Sequence, residues 1–281
     1  MTIAVTGATG QLGQIVIQKL KQKVVASEIV ALVRTPAKAE HLGVIAREAD
    51  YTKSETLDVA LKGVDTLLLI SGNEIGQRAE QHANVIKSAV KNGVKHIVYT
   101  SILHADRSPL NLAPEHIETE KDLKGSGLTY TILRNGWYSE NYTASIASAL
   151  GLGAFYGSAG EGKISSAPRE DYAEAAVAVL TGTGHEGKTY ELAGDKFYTL
   201  TDLAAEISKQ TGKDIPYRDI PESDYAAALK SAGLPEGLAN AIASWDTGAS
   251  ENALFDDSKQ LSGLIGRATT PISVSVEKAI L

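Results

Sequence analysis

The chain has 281 residues, a formal net charge of −7 and no cysteine. This length accommodates one large α/β domain, or such a domain with a smaller one. The acidic balance argues against a general nucleic-acid or anionic-membrane surface, and a chain without cysteine has no disulfide, thiolate nucleophile or thiolate metal site. Because a predicted strand begins at the second residue and no apolar run reaches the ~20 residues of a membrane span, we expect a cytoplasmic protein.

The N-terminus carries a glycine-rich turn between a strand and a helix. Thr2–Thr6 is a short β-rich run, Gly7, Gly10 and Gly13 follow it, and a helix is predicted over Gln14–Lys21. Glycine permits a positive φ and lets the backbone approach a pyrophosphate, while the helix N-terminus attracts its negative charge. The motif alone is weak evidence, since such a turn can be purely structural, but its place between strand and helix predicts dinucleotide binding.

The second predicted strand, Ile29–Val33, ends in a basic residue. A site that prefers NAD usually carries a carboxylate at this point to hold the ribose 2′-hydroxyl. Here Arg34 follows the strand, Lys38 lies further on, and the first carboxylate is that of Glu40. A guanidinium binds a 2′-phosphate through two N–H groups, so NADPH is the predicted cofactor. The alternative is a solvated arginine at a strand end.

Strands and helices alternate along the first half of the chain with short connections. This order predicts an α/β fold with a doubly wound parallel sheet of the Rossmann type. Further strands are predicted at Val44–Glu48, Thr66–Ile70, His96–Ser101 and Thr129–Arg134, and helices at Glu55–Leu61, Arg78–Asn92 and Pro114–Gly125.

The regular alternation of predicted strands and helices ends at about residue 150. Residues 1–150 are predicted as the dinucleotide-binding domain, and residues 151–281 as a smaller C-terminal α/β substrate lobe. Five glycines between positions 151 and 162 indicate loops. A strand at Thr189–Leu192 is predicted to rejoin the main sheet. A helix is predicted to start at Thr201–Leu203, and short helices are predicted within Asp224–Leu234 and Asp256–Ile265. Ligands of such sheets bind outside the carboxyl ends of the strands, so the lobe would cover the substrate side of the site.

Several segments together resemble the NmrA-like branch of the atypical short-chain dehydrogenases over essentially the full chain. The segments are Thr6–Gly13, Val33–Arg34, Tyr99–Ser101 and Leu133–Tyr138. Within that branch, the run RNGWYSENY at residues 134–142 is similar to bacterial NADPH-dependent quinone oxidoreductases and, more distantly, to triphenylmethane-dye reductases. The resemblance implies transfer of a hydride from NADPH to a quinone or a similar flat electrophile.

The resemblance also implies a path for the cofactor. The pyrophosphate would lie on the glycine turn, the 2′-phosphate on Arg34, the ribose along the end of the fourth strand, and the nicotinamide after the sixth strand. Trp137, Tyr138 and Tyr142 are implied at the substrate, with core packing as the alternative for the aromatic residues. The implied cofactor-binding residues are Gly7, Ala8, Thr9, Gly10, Gln11, Leu12, Gly13, Arg34, Ser71, Gly72, Asn73, Asn135, Gly136, Trp137, Tyr138, Ser139 and Glu140.

The catalytic pair of ordinary short-chain dehydrogenases is missing. Those enzymes use Tyr-x-x-x-Lys, and none of the eleven tyrosines here has a lysine four residues later. Alignment of the helix places Leu112 at the tyrosine and His116 at the lysine. Quinone reduction tolerates this loss, because the protein mainly positions the cofactor against the acceptor. His116, titratable near neutral pH, is a candidate proton donor and Ser101 a second one; the alternative is a hydrogen bond to the ribose or a neighbouring helix.

Two functions remain as hypotheses. The first is an NADPH:quinone oxidoreductase, and the second is a sensor that binds NADP(H) and a partner without turnover. The RNGWYSENY run and the aromatic residues near the predicted crevice favour the enzyme. No metal site is predicted. The predicted partner is a small aromatic or quinone substrate, and the oligomeric state is left open, with a homodimer as one alternative.

Overall fold

The computed structural model describes residues 1–281. The strands are β1 (Ile3–Thr6), β2 (Ile29–Val33), β3 (Ile45–Glu48), β4 (Thr66–Leu69), β5 (His96–Ile102), β6 (Thr129–Asn135), β7 (Phe155–Gly157), β8 (Thr189–Leu192) and β9 (Tyr217–Asp219). The α-helices are α1 (Gln11–Leu20), α2 (Ser54–Ala60), α3 (Arg78–Lys91), α4 (Ala113–Gly125), α5 (Ser139–Thr143), α6 (Ile146–Leu152), α7 (Arg169–Thr181), α8 (Leu200–Thr211), α9 (Glu222–Ser231), α10 (Glu236–Ser250), α11 (Gln260–Ile265) and α12 (Ile272–Ile280).

Seven parallel strands form the main sheet in the order β3-β2-β1-β4-β5-β6-β8. The chain winds outward in one direction from β1 to β3 and in the other from β4 to β8, so the order reverses between β1 and β4. Every residue of β1, β2 and β4 is buried, which explains their uninterrupted apolar sequences: helices cover both faces of a parallel sheet. The predicted doubly wound α/β fold is confirmed.

The two faces of the sheet are covered by different helices. On one face, α1 buries Leu12, Val16, Ile17 and Leu20 in a cluster that also contains residues of α7 and α11. These four positions fall on one side of a 3.6-residue helix, and burying such side chains stabilises the fold by roughly 1.5–3 kcal/mol each. On the other face, a second cluster joins α2, α3 and α4 to the sheet.

The remaining elements lie beyond the carboxyl ends of the sheet. Strands β7 and β9 pair in parallel, and a third apolar cluster joins Phe155 of β7 to Leu203 of α8 and to Ile102 at the end of β5. The chain also returns to the sheet after residue 150, since α7 packs against α1 and β8 pairs with β6. The division of the chain at residue 150 stays a prediction. None of the helices combines the length and apolar composition needed to cross a bilayer.

Two long helices had no signal in the sequence analysis, α7 and α10. Helix α7 is buried nearly all around, with Tyr172, Ala173, Ala176 and Val179 all in the core. It therefore lacks the alternation of apolar and polar faces that identifies a surface helix. Helix α1 begins at Gln11 rather than at the predicted Gln14, which brings the helix N-terminus into the glycine turn itself.

Candidate cofactor and substrate site

A cavity of about 990 Å³ lies at the carboxyl ends of the central strands. The segments that follow β1, β2, β4, β5 and β6 all contribute to its lining, and Leu238 and Trp245 of α10 line it as well. The cavity spans the point where the strand order reverses, which is where open α/β sheets bind ligands. Its volume is at the upper end of the range for small-molecule and cofactor sites.

The glycine turn forms one wall of this cavity. Gly7 has φ +56°, and its carbonyl oxygen accepts a 2.8 Å hydrogen bond from the Gly10 N–H. A Cβ at Gly13 would collide with the Gly7 carbonyl oxygen and would lie 2.8 Å from Cα of Ala8. No side chain caps the start of α1, so the N–H groups of its first turn have no side-chain acceptor. The turn can therefore receive an anionic group at a helix N-terminus.

Arg34 lies at the outer end of the cavity. Its side chain is 74% exposed, and its Nη1 atom is 3.6 Å from a carboxylate oxygen of Glu74. Asp50, which follows β3, lines the cavity too. Neither carboxylate is close to Arg34 in the chain, so the sequence did not indicate them; the fold brings them near from the end of β3 and from the segment after β4.

Two residues of α3 hold the segment that follows β4. The Gly72 N–H donates a 2.9 Å hydrogen bond to Nε2 of His82, and Nε of Arg78 donates to the Gly72 carbonyl oxygen at 2.7 Å. Ser71, Gly72 and Asn73 line the cavity, as does Arg78. Arg78 is buried, and its Nη1 atom has no hydrogen-bond partner. No signal in the sequence distinguished Arg78 from the other cations of this helix.

Ser101 and His116 both line the cavity, but each is engaged elsewhere. The Ser101 hydroxyl donates a 2.7 Å hydrogen bond to Glu120, whose carboxylate also accepts two 2.9 Å hydrogen bonds from Arg134. Nδ1 of His116 is 2.7 Å from the Tyr99 hydroxyl. Burial of the His116 ring, followed by the nearby positive charge of Arg78, lowers its pKa well below the usual value. His116 is therefore uncharged at neutral pH.

The segment after β6 forms the inner end of the cavity. Asn135 is buried, and its Oδ1 atom has no hydrogen-bond partner. The rings of Trp137 and Trp245 meet edge to face, with centroids 5.6 Å apart, and Nε1 of Trp245 donates a 2.9 Å hydrogen bond to Oδ1 of Asn111. Trp245 was not predicted from the sequence, because it lies more than a hundred residues from Trp137 in the chain.

Arg169 is a second cation of the cavity that the sequence analysis missed. Its guanidinium carbon lies 4.4 Å from the centre of the Tyr138 ring, and a guanidinium nitrogen is 3.3 Å from Glu140. Both Arg169 and Tyr138 line the cavity. Arg169 opens α7, the helix whose pattern gave no signal, which is why the arginine had no predicted context.

Most of the residues predicted to bind the cofactor or substrate line this one cavity, and four do not: Ala8, Ser139, Glu140 and Tyr142. Ala8 is fully buried against the sheet. Ser139 bonds Ser166 through its hydroxyl at 2.9 Å, and Glu140 holds Arg169. The Tyr142 hydroxyl donates a 3.0 Å hydrogen bond to Asp246 of α10.

Comparisons with known proteins agree with this geometry. Residues 7–183 match the family described as NAD(P)H-binding. The chain is 61% identical to quinone oxidoreductase 2 of Escherichia coli (strain K12) over 277 residues. These aligned residues cover 98% of this chain and 97% of that protein. A crystal structure of an NADPH-dependent quinone oxidoreductase from Escherichia coli complexed with NADPH matches with a TM-score of 0.97 and 59% identity over all of both chains.

A second solved structure extends this result. Triphenylmethane reductase of Citrobacter sp., complexed with NADP(H), has a TM-score of 0.96 and 40% identity, over 99% of this chain and 100% of that one. The resemblance drawn from the glycine turn and the RNGWYSENY run is thus confirmed. The chain belongs to the NAD(P)H-binding family, in the same group as quinone oxidoreductase 2.

Proposed function

We propose that this protein is an NADPH-dependent oxidoreductase that reduces a quinone or a similar flat electrophile. The observation that carries the proposal is the single cavity that runs from the uncapped glycine turn to the paired rings of Trp137 and Trp245. One end suits a pyrophosphate, and the other end suits a flat ring. The 61% identity to a quinone oxidoreductase over 98% of the chain supports the same activity.

The residues of the cavity fit NADPH. The glycine turn leaves backbone N–H groups open to the pyrophosphate, because no side chain caps the start of α1. The absence of a Cβ at Gly13 lets this helix start pack directly on the backbone of Gly7 and Ala8. Arg34, which is 74% exposed and lies 3.6 Å from a carboxylate oxygen of Glu74, would turn to the 2′-phosphate, and Ser71–Asn73 would lie along the ribose. Asn135 has a buried Oδ1 atom without a partner, which can accept a hydrogen bond from the nicotinamide carboxamide.

The side chains at the inner end serve mainly to position the reactants. When bound, NADPH supplies a hydride, and a quinone that takes up this hydride and one proton becomes a hydroquinone. Trp137 and Trp245 would hold the acceptor ring and exclude water from one side of it. Leu112 lines the cavity and has no proton to give. His116 is buried and its lowered pKa leaves it uncharged at neutral pH, so it is not a charged proton donor, and water would supply the proton.

The two relatives reported above favour the enzyme over the sensor, because they are described as a quinone oxidoreductase and a triphenylmethane reductase. Steady-state oxidation of NADPH with and without a simple benzoquinone tests the proposal. We expect oxidation that depends on the quinone. Tight NADPH binding without oxidation by any quinone would favour a sensor instead.

The preference for NADPH over NADH rests on Arg34. A charge-assisted contact with a phosphate contributes roughly 1.5–3 kcal/mol, so NADPH should bind about ten- to a hundredfold more tightly than NADH. Arg34→Ala should remove most of this difference and leave the NADH dissociation constant unchanged. Lys38→Ala is the matched control, because Lys38 does not line the cavity. Equal dissociation constants for the two cofactors in the wild-type protein would contradict the assignment.

A further inference from the structure

Tyr99 and His116 form a buried pair at the side of the cavity. Tyr99 lies on β5 with none of its surface exposed, and its hydroxyl oxygen is 2.7 Å from Nδ1 of His116. This is the one hydrogen bond that the hydroxyl makes. Burial raises the pKa of Tyr99, so the phenol keeps its proton.

The direction of this hydrogen bond follows from which protons would have an acceptor in each case. The other hydroxyl close to Tyr99 is that of Thr119, which already donates to the Glu115 carbonyl oxygen at 2.9 Å and lies 3.0 Å from Nδ1 of His82. If Nδ1 of His116 were the donor, the O–H proton of Tyr99 would give up the 2.7 Å contact for this poorly placed and already engaged oxygen, which is costly in a buried site. If the Tyr99 hydroxyl is the donor, its proton is used and Nδ1 is the acceptor. A neutral imidazole carries one N–H group, so its proton must then be on Nε2.

The surroundings of His116 keep the ring neutral. The groups that lower its pKa are on α3, where the guanidinium of Arg78 and the ring of His82 oppose a second positive charge. The Tyr99 phenol of β5 is uncharged, and the carboxylate of Glu115 lies 3.6 Å from Arg78. The largest cause is burial itself. His116 is therefore a hydrogen-bond donor that does not change charge over the neutral pH range.

A comparison with His82 shows what is special about His116. Nε2 of His82 accepts a hydrogen bond from the Gly72 N–H, and Nδ1 lies 3.0 Å from the Thr119 hydroxyl, so both ring nitrogens are used inside the protein. His82 does not line the cavity, whereas His116 does. Nε2 of His116 makes no hydrogen bond within the protein. It is the ring nitrogen left for a molecule bound in the cavity.

We propose that Tyr99 fixes His116 as the tautomer with its proton on Nε2, and that this N–H group donates a hydrogen bond to an oxygen atom of the bound reactants. The inference rests on the proposed function, because the oxygen belongs either to the cofactor ribose or to the carbonyl group of the acceptor. A donor to the carbonyl would stabilise the negative charge that develops as the hydride arrives, without giving up its proton. Tyr99 is then a positioning residue, since it acts through His116.

The first experiment measures the tautomer directly and does not depend on turnover. In a protein with ¹⁵N-labelled histidine, the imidazole nitrogen shifts of His116 should report a neutral ring protonated on Nε2, unchanged between about pH 5 and about pH 8. Tyr99→Phe removes the donor to Nδ1 and should move these shifts toward a mixture of tautomers. A ring that titrates near pH 6.5, or one protonated on Nδ1 in the wild-type protein, would overturn the proposal.

The second experiment measures kcat with a benzoquinone and the dissociation constant of NADPH. His116→Ala should either lower kcat or raise the NADPH dissociation constant by about tenfold, which is the effect of losing one hydrogen bond of ~1.4 kcal/mol. A loss in kcat identifies the acceptor carbonyl, and a weaker NADPH complex identifies the ribose. His116→Gln keeps an N–H donor that does not titrate, and it should restore most of the loss. The proposal is wrong if both variants lie within twofold of the wild type in both quantities. It is also wrong if the glutamine variant is as impaired as the alanine variant and the wild-type rate rises as the pH falls.

A second tyrosine–histidine pair provides the matched control. The Tyr190 hydroxyl is 2.8 Å from Nδ1 of His185, a geometry close to that of the pair at the cavity, but neither residue lines the cavity. Tyr99→Phe should lower the same quantity as His116→Ala by about threefold or more, whereas Tyr190→Phe should leave both unchanged. If the two phenylalanine variants behave alike, Tyr99 has no positioning role. If the wild-type protein oxidises no NADPH with any quinone, the proposed function fails, and the tautomer and NADPH affinity still test this inference.

Discussion

Two walls of the cavity differ in how far apart their residues lie in the sequence. One wall is formed by the glycine turn, and the other is formed by α10 together with the segment after β6. The first, the cofactor wall, consists of the turn Gly7–Gly13, of which every residue except Ala8 lines the cavity. The second, the acceptor wall, consists of Trp137, Leu238 and Trp245. The shape of the cofactor wall follows from the backbone of seven consecutive residues. The acceptor wall instead requires that α10 pack against the rest of the protein, because two of its three residues lie on that helix. Local geometry thus determines the wall proposed for the cofactor, and long-range packing determines the wall proposed for the acceptor.

A buried carboxyl group anchors the acceptor wall. Asp246, next to Trp245 on α10, accepts hydrogen bonds from the Tyr142 hydroxyl at 3.0 Å and from the Ser158 N–H at 3.1 Å. The residue is only 4% exposed, and burial raises its pKa from 3.8 to about 6. The position of Trp245 therefore depends on contacts with α5 and with the segment after β7.

The largest expected effect is on the cofactor wall. Gly13→Ala should weaken NADPH binding by about a hundredfold and destabilise the fold, because backbone atoms of Gly7 and Ala8 occupy the space of the new Cβ and such overpacking costs about 1–3 kcal/mol. Gly151→Ala is the control, since nothing lies within 4 Å of its Cβ position on α6. NADPH titration and thermal unfolding of both variants check the expectation. Native NADPH affinity in Gly13→Ala would mean that the turn is not the phosphate site.

The second prediction concerns the anchor of the acceptor wall and depends on pH. The folded-state pKa of Asp246 lies above its unfolded value, so its stabilising contribution is complete below about pH 4 and is lost as the pH rises through about 6. The loss amounts to about 3 kcal/mol by the size of the shift. In Asp246→Asn the new side chain does not titrate, and the Tyr142 hydroxyl can turn to accept a hydrogen bond from its amide.

Urea unfolding of both proteins across this pH range measures the effect. The wild-type protein should lose stability relative to Asp246→Asn between about pH 4 and about pH 7, and the two curves should run parallel at higher pH. A constant difference from pH 4 upward would show that Asp246 is ionised in the folded protein throughout. In that case the carboxylate, rather than the acid, anchors α10.

The smallest expected effect concerns one side chain of the acceptor wall. Trp245→Leu removes the edge-to-face contact with Trp137, and an aromatic pair contributes about 0.5–1.5 kcal/mol beyond the area it buries. We therefore expect KM for a benzoquinone to rise by about threefold to tenfold, while the NADPH dissociation constant stays the same. Trp245→Phe keeps an aromatic ring and should behave like the wild-type protein. A change in NADPH affinity instead would place Trp245 at the cofactor.

The core of the fold was predictable from the sequence for a local reason. Strands β1 and β2 are continuous apolar runs because both faces of the sheet are covered, and the bounds of β2 agree with the prediction at both ends. Helix α7 was not predictable, because burial on all sides removes the polar face that would have revealed it. His116 was expected to titrate near neutral pH, but burial of its ring lowers its pKa, and Arg78 and His82 of another helix lower it further.

By itself, the sequence determined the doubly wound sheet and the glycine turn, and it placed Arg34 at the end of β2. These features depend on side-chain patterns and backbone freedom within a few residues, which a linear reading captures. Only the tertiary structure decided that Arg78, Arg169 and Trp245 share the cavity with them, and that His116 is buried against Tyr99. Burial, charge and ring contacts act across space, so these properties depend on which residues the fold brings together rather than on their order in the chain.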